Sequence, residues 1–466
     1  MARRSLLAIP LALPVAAATV FAQTPDPGKA ANMAVRTDYA LTNVRIVQAP
    51  GKVIERGTVV LKDGRIAAVG ANVNIPAGVA RMDMSGHTVY AGLIDAATSI
   101  ALPSPSRAPS TTPAAAAGGA GGRGGAPGGF GGRGGGRGAA NAPAPPTVLP
   151  EVDAGAEAAD MFEPTEEQLQ AFRAGGVTTV GLVFQGGIFP GRVGAALTGA
   201  SNNDRLSLRP MAGQVVAFGT KRGAYPGTGI GSVAFIRQAY LDAQYEARVD
   251  SAMKKGIPGA PRPSNDPFTR ALVPAATNEI SSWFVASTER EISRVADIAT
   301  EMSLKNPVVV GSTEGWRAIG NLKRAGATAV VSLQYPSVES ITGREFLAVG
   351  NGKTGTAPAP TAADTAEVRG NAAALIKAGI PVALASFGGE SGSNFRERIR
   401  QAIAAGLSAD DALKAATVTP AQLLGVSGSV GTVEVGKLAN LVIVNGNDIF
   451  AAGNPITHVF IEGRIY

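Results

Sequence analysis

Apolar and polar positions follow two different periods along this chain. Near the start, residues 40–47, 58–62 and 65–69 are short runs rich in Val, Ile and Leu, the pattern of strands. Asp63-Gly64 sits between the last two runs, and a tight hairpin turn accepts that pair because both central residues need positive φ. From residue 163 the pattern becomes helix alternating with strand. Helices are predicted over 165–174, 232–255, 289–305, 314–325, 363–378, 394–405 and 408–417, and strands over 177–184, 282–285, 307–311, 329–333 and 381–386. The first helix opens Thr165-Glu166-Glu167-Gln168, where a hydroxyl caps the free N–H groups and acids favour the positive end of the helix. Strands separated by helices imply parallel pairing, and so long a run favours closure over an open sheet. After residue 431 short strands return, placed to pair with those at the start. The predicted class is therefore α/β: a (β/α)8 TIM-like barrel over 91–424, plus a small β-sandwich domain formed from both chain ends, 37–90 and 425–466.

The first residues add an address. Arg3 and Arg4 precede an apolar run over 6–20, and Val20-Phe21-Ala22 places small residues where a signal peptidase reads, so residues 1–22 are a signal peptide. Pro10 and Pro14 interrupt the run, which is short for a membrane span, so no stable anchor is expected. Residues 23–36 read as a flexible leader. The chain is expected to be exported, periplasmic or secreted. It has no cysteine, which removes disulfides, thiolate chemistry and zinc–sulfur sites.

The formal charge of +7 points at first to nucleic acid. Its distribution does not. Arg3 and Arg4 leave with the signal, and Arg107, Arg123, Arg133 and Arg137 fall in the tract 103–147. Without those six cations the remainder carries +1. The tract itself is Pro, Ala, Gly and Arg, and its GGRGG and GGFGG elements look like Arg-Gly boxes. It reads as a disordered, solvated insertion, because it cannot bury enough apolar surface to order itself. No nucleic-acid partner is expected.

Three segments carry a resemblance. VLKDGRIAAVG followed by MDMSGHTVYAGLIDAAT lies within 59–98, KAGIPVALAS ends at Ser386, and GLSADDALKAATVTPAQLLGVSGSVGTVEVGKLANLVIVNGND spans 406–448. In this order they resemble the amidohydrolase superfamily, in its imidazolonepropionase-like branch. The resemblance implies one or two divalent metals such as zinc at the C-terminal mouth of the barrel. Histidines from several strands, an aspartate on the last strand and often a carboxylated lysine would hold them. Such an ion makes hydroxide from bound water near neutral pH and polarises the scissile C–N carbonyl.

The ligand positions implied by the resemblance are substituted. After Gly92-Leu93-Ile94-Asp95 the paired histidines are replaced by Ala97 and Ser99, and later strand ends offer Ala286 and Gly311. The last strand ends Ser386-Phe387 in place of Ser-Asp. The two histidines, His87 and His458, fall in the small sheet and read as structural. No metal cofactor is therefore expected by the usual route. A site made only of carboxylates stays open, drawn from Asp95, Glu279, Glu289, Glu314 and Glu390, although helix-start charge explains Glu289 and Glu314 equally well. The Gly-rich run at 227–231 fits a dinucleotide fingerprint only in part.

Two functions remain. One is a pseudo-hydrolase that binds an unknown small ligand, or assembles as a hetero- or homo-oligomer with an amidohydrolase relative. The other is an active hydrolase of carbon–nitrogen (non-peptide) bonds, acting through Asp95, Glu314 or Glu390.

Overall fold

The computed structural model describes residues 38–103, 152–199, 206–220, 225–335, 362–389 and 392–466. The predicted signal peptide, the leader at 23–36, the body of the Gly/Pro/Arg tract, and Glu390 lie outside the described residues.

The chain opens with β1 (Tyr39–Ala49), β2 (Lys52–Lys62), β3 (Arg65–Gly70), β4 (Ala80–Asp83) and β5 (His87–Ala91). Asp63 and Gly64 take φ of 51° and 74°, as the two-residue hairpin requires. The barrel follows. It begins with β6 (Leu93–Thr98), α1 (Glu166–Ala174), β7 (Val177–Leu182), β8 (Gly191–Leu197) and β9 (Ser207–Ala217). Then come α2 (Gly229–Lys254), α3 (Pro267–Ala276), β10 (Ser281–Ala286), α4 (Glu289–Glu301), β11 (Val308–Gly311), α5 (Ile319–Ala325) and β12 (Thr328–Ser332). It finishes with α6 (Ala362–Lys377), β13 (Val382–Ala385), α7 (Phe395–Ala404), α8 (Ala409–Ala415) and α9 (Val418–Leu423), after which β14 (Leu441–Asn445), β15 (Ile456–Ile461) and β16 (Arg464–Ile465) return to the first sheet. Thr165 caps α1 with the reciprocal Gln168 contact that its sequence predicts.

The barrel sheet holds eight strands, ordered β6 to β13 in chain order. It departs from a strict (β/α)8 alternation. β8 runs antiparallel to both β7 and β9, because the connections flanking it are too short for a crossover helix. Periodicity missed this strand and β9, since their runs carry Gly, Arg, Gln and Pro among the apolar residues.

Side chains alternate across the barrel wall. Ile94, Ala96, Trp283, Val308, Val310, Val330, Ala383 and Ala385 share an inner apolar cluster. Their neighbours Leu93, Phe284, Val309, Val331 and Leu384 join an outer one with Ile292 and Val295 of α4 and Leu375 of α6. Trp283 is fully buried and donates its indole N–H to Ser281 at 2.8 Å. Gly213 on β9 makes room for it: a Cβ there would lie 2.3 Å from the Trp283 ring. Ala421 and Leu424 join the inner cluster at the end where strands begin, beside the bond from Ile94 N to the Ala416 carbonyl.

The other sheet also has eight strands, drawn from both ends of the chain in the order β16-β15-β14-β5-β1-β2-β3, with β4 beside β1. A two-sheet sandwich was expected; one sheet rolls upon itself instead. Its far turns meet through Ala439, whose N–H donates to Gly64 O and whose carbonyl accepts from Gly463 N. Tyr39 on β1 stacks edge-on against Phe460 on β15, with ring centroids 5.8 Å apart. The rolled face encloses Leu41, Ile46, Leu61, Val89, Ile443 and Phe460, while Val442 and Val444 on the opposite face pack into the outer core of the barrel.

Candidate functional site

Catalytic groups of a barrel belong where its strands end, at the C-terminal mouth. Here the strand ends supply Ala97 and Ser99 from β6, Ala286 and Ser287 from β10, Gly311 and Ser312 from β11, Ser332 from β12, and Ser386 and Phe387 from β13.

Ala97 and Phe387 belong to the inner apolar cluster, and Phe387 is 8% exposed. Gly311 opens on the same spot: a Cβ on it would lie 2.9 Å from Ser287 Oγ and 3.9 Å from the Phe387 ring. Ala286 sits elsewhere. It packs in the outer cluster with the helices, while Val285 before it packs against the inner one. Ser99 is part-buried beyond the end of β6. These side chains are methyl, hydrogen, hydroxyl and phenyl groups, and none is a strong cation donor.

Asp95 is wholly buried. Ile94 and Ala96 on either side face the barrel axis, so the alternation turns Asp95 outward, as it turns Ser386 between Ala385 and Phe387. The two residues meet across the seam between β6 and β13, the ends of the strand path. Ser386 donates its backbone N–H to Asp95 Oδ1 at 2.9 Å and its hydroxyl to Oδ2, and Ala97 N donates to Oδ1 at 3.3 Å. Burial pushes the Asp95 carboxyl up to about 7, against the bonds from Ser386 and Ala97 that favour its charged form.

The other carboxylates serve local structure. Glu314 Oε2 accepts the backbone N–H of Glu289 at 2.9 Å, and Glu291 Oε2 accepts those of Ser287 and Thr288 at 2.8 and 3.1 Å. Both cap the start of α4. Glu279 is exposed at the opposite end of β10, where it accepts from the Thr277 hydroxyl at 3.1 Å. Asp95, Glu279 and Glu314 are thus kept apart on the seam, the far end of a strand and a helix cap. Among the described residues no three His, Asp or Glu side chains converge on a point a cation could occupy. Among the described residues the donor set does not fit the one or two divalent ions that the resemblance implies.

Residues 334–466 match a family model described as the amidohydrolase family. Among solved structures, the chain is similar to an amidohydrolase from Thermotoga maritima MSB8, with a TM-score of 0.69 at 20% identity, over 92% of this chain and 99% of that one. It is also similar to phenylurea hydrolase B, with a TM-score of 0.52 at 16% identity, over 92% of this chain and 96% of that one. At such identities the likeness establishes the amidohydrolase-type fold. No curated protein matches the chain.

Four polar residues, whose roles here sequence reasoning passed over, hold this barrel end together. Asn371 of α6 donates to Ser312 O at 2.7 Å and accepts from Trp316 N at 3.0 Å, fixing the loop after β11. Ser332 donates to Phe387 O at 2.7 Å and fixes the turn after β13. Ser386 completes the seam, and Thr288 caps α4. Ser332 and Asn371 carry no sequence signal for these roles, since each depends on a partner far along the chain.

The histidines lie in the rolled sheet. His87 on β5 and His458 on β15 flank β14, opposite Asn445 and Ile443. Burial lowers the His458 pKa, with a smaller contribution from His87 nearby. Neither belongs to the barrel. Among the described residues no helix is long and apolar enough to cross a membrane.

Proposed function

We propose that this chain is an exported, imidazolonepropionase-like member of the amidohydrolase group whose metal ligands have been replaced, and that it acts as a non-catalytic barrel binding a small ligand or an active relative. The observation that carries the reading is Phe387. At the end of the last strand, where the resemblance implies an aspartate, an apolar ring packs into the inner cluster beside Ala97. A phenyl ring there supplies no electron pair and withdraws space from a hydrated ion. Ser99 and Gly311 support it as positions without an imidazole. The fold needs none of these ligands, because mouth residues serve chemistry while the wall serves packing.

Elemental analysis of the full chain, purified without chelator, tests this reading. The expected metal content is far below one ion per chain, and it stays there after incubation with zinc or manganese and gel filtration. Stoichiometric retention of either ion would refute it.

One observation favours the second reading, a hydrolase of carbon–nitrogen bonds acting through a displaced carboxylate. Asp95 titrates near neutral pH, in the range suited to a general base. Its position argues against that role: it faces out of the barrel, it is sealed from solvent, and its oxygens are engaged by Ser386 and Ala97. A panel of cyclic amides and N-acyl compounds, with and without divalent metal, separates the two readings. No turnover is expected; turnover lost in Asp95→Asn or Glu314→Gln would establish the hydrolase.

A further inference from the structure

The end of the barrel where the strands begin carries a cavity of its own, opposite the mouth. Part of its wall forms where α6 turns into β13. Gly379, at φ 80°, closes α6: its N–H donates to Ile376 O at 2.8 Å, and Ile380 N donates to Leu375 O at 3.0 Å. This cap reverses the chain sharply, so that Ile376, Ile380 and Pro381 line one apolar side of the cavity. Helices α8 and α9 supply the polar side, with Asp411, Lys414 and Thr419. The enclosed volume is about 350 Å³, near the small end of the range for small-molecule sites.

The polar side is incompletely used by the protein itself. Asp411 and Lys414 stand three residues apart on one face of α8, a spacing at which opposite charges can meet. Among the described residues Lys414 has no carboxylate partner. Asp411 accepts the Ser408 hydroxyl on Oδ2 at 2.6 Å, and its Oδ1 receives no bond among those residues. Thr419 adds the deciding observation. It is 8% exposed and lines the cavity, and its hydroxyl has no hydrogen-bond partner among the described residues. A hydroxyl so enclosed is costly to leave unbonded, so it marks a place for a polar group that the fold does not supply. One water would satisfy Thr419 but would leave both charges unmatched.

A cation, an anion, a hydroxyl and a hydrocarbon wall around one small cavity complement a zwitterion with an apolar tail. We infer that this cavity binds a free amino acid with an aliphatic side chain. Lys414 and the Thr419 hydroxyl hold its carboxylate, Asp411 holds its ammonium group, and its side chain lies against Ile376, Ile380 and Pro381. No mouth residue takes part, so the inference stands apart from the reading of the mouth as a site without its metal.

Calorimetric titration of the full chain with L-leucine tests it. Saturable binding of one leucine per chain is expected, in the millimolar range or tighter. Isocaproate, which lacks the ammonium, and isopentylamine, which lacks the carboxylate, each bind about tenfold more weakly or worse. Lys414→Met and Asp411→Asn weaken leucine binding by a similar factor. Lys414 is exposed, so its replacement leaves the melting curve of the unliganded chain unchanged. Thr419→Val keeps the shape of the side chain and removes the unbonded hydroxyl. It weakens leucine binding without lowering the melting temperature, a split that a purely structural hydroxyl would not give. Three results overturn the inference: no heat of binding at high millimolar leucine, which leaves a site for water only; binding indifferent to both Lys414→Met and Asp411→Asn, which places leucine elsewhere; or isocaproate binding as tightly as leucine.

Discussion

The inside of this barrel and its outer seam differ in chemical character. Inside, Trp283, Ala97 and Phe387 pack as hydrocarbon, and no carboxylate joins their cluster. On the seam, Asp95 is sealed beneath the helices and joined to Ser386. The contrast separates two demands on the same strands. Alternation along β6 and β13 holds the wall together whichever residues face the axis, so inward positions can lose their chemistry without loss of the fold. The seam cannot be released so easily, because β6 and β13 are the ends of the strand path and Asp95 links them.

The first way to break the comparison is to empty the inside. Trp283→Ala deletes the largest fully buried side chain, beside a backbone at Gly213 that cannot grow to fill the gap. The expected loss is about 3–5 kcal/mol of unfolding free energy, read from urea denaturation. A loss below about 1 kcal/mol would mean that the inner cluster is not a packed core. Next comes the seam. Asp95→Ala strands the N–H and hydroxyl of Ser386 in a buried site, at an expected cost of about 2–4 kcal/mol. A smaller effect belongs to the rim: Thr288→Ala removes the cap of α4 and should cost about 1 kcal/mol, with the barrel otherwise intact.

The seam also predicts a pH dependence. In the unfolded chain Asp95 titrates near 3.8, and in the folded barrel at about 7. Below the lower value both states hold the proton and the contribution to stability is complete. Between the two values the unfolded chain releases its proton first, so stability falls as pH rises, by at most about 1.4 kcal/mol per pH unit, and levels off above pH 7. Asp95→Asn removes this slope. Urea midpoints measured from pH 4 to 8 decide the matter, and a slope of opposite sign in the difference between wild type and variant would show that the carboxylate is stabilised in its charged form.

Much of this architecture was legible in sequence because its signals are local. Thr165 with Gln168, Asp63-Gly64, and the Val-rich runs at β10 to β13 each announce themselves within a few residues. The eight-stranded barrel and the separate sheet follow from their order. β8 and β9 stayed hidden because they pair antiparallel with a composition no period singles out, and α3 because Pro274 lies inside it. The rolling of the first sheet into its own core depends on contacts between Gly64, Ala439 and Gly463, almost the whole chain apart. At the barrel mouth, Ala97 and Phe387 could be named from the resemblance, but the outward turn of Ala286 and Asp95 could not. Strand register decides which of two adjacent residues faces the axis, and a motif match does not contain it.

The smallest expected effect sharpens the comparison by bringing in the rolled sheet. His458 is half-buried between strands, and burial lowers its pKa, with His87 adding repulsion. Its sign is opposite to that of Asp95. Above 6.5 both states hold the ring neutral and stability is complete; as pH falls below 6.5 the unfolded chain takes up the proton first and stability is lost. Because the ring is partly solvated its contribution is smaller than that of the seam. The two slopes therefore oppose each other just below pH 6.5, and the wild-type profile there is their difference. His458→Gln should leave a steeper decline with rising pH, owed to the seam alone, while Asp95→Asn should leave a shallow rise owed to the sheet. If the two variants instead shift the profile in the same direction, the seam and the sheet are not independent titrating regions, and the carboxylate cannot be held by burial in the way its contacts with Ser386 imply.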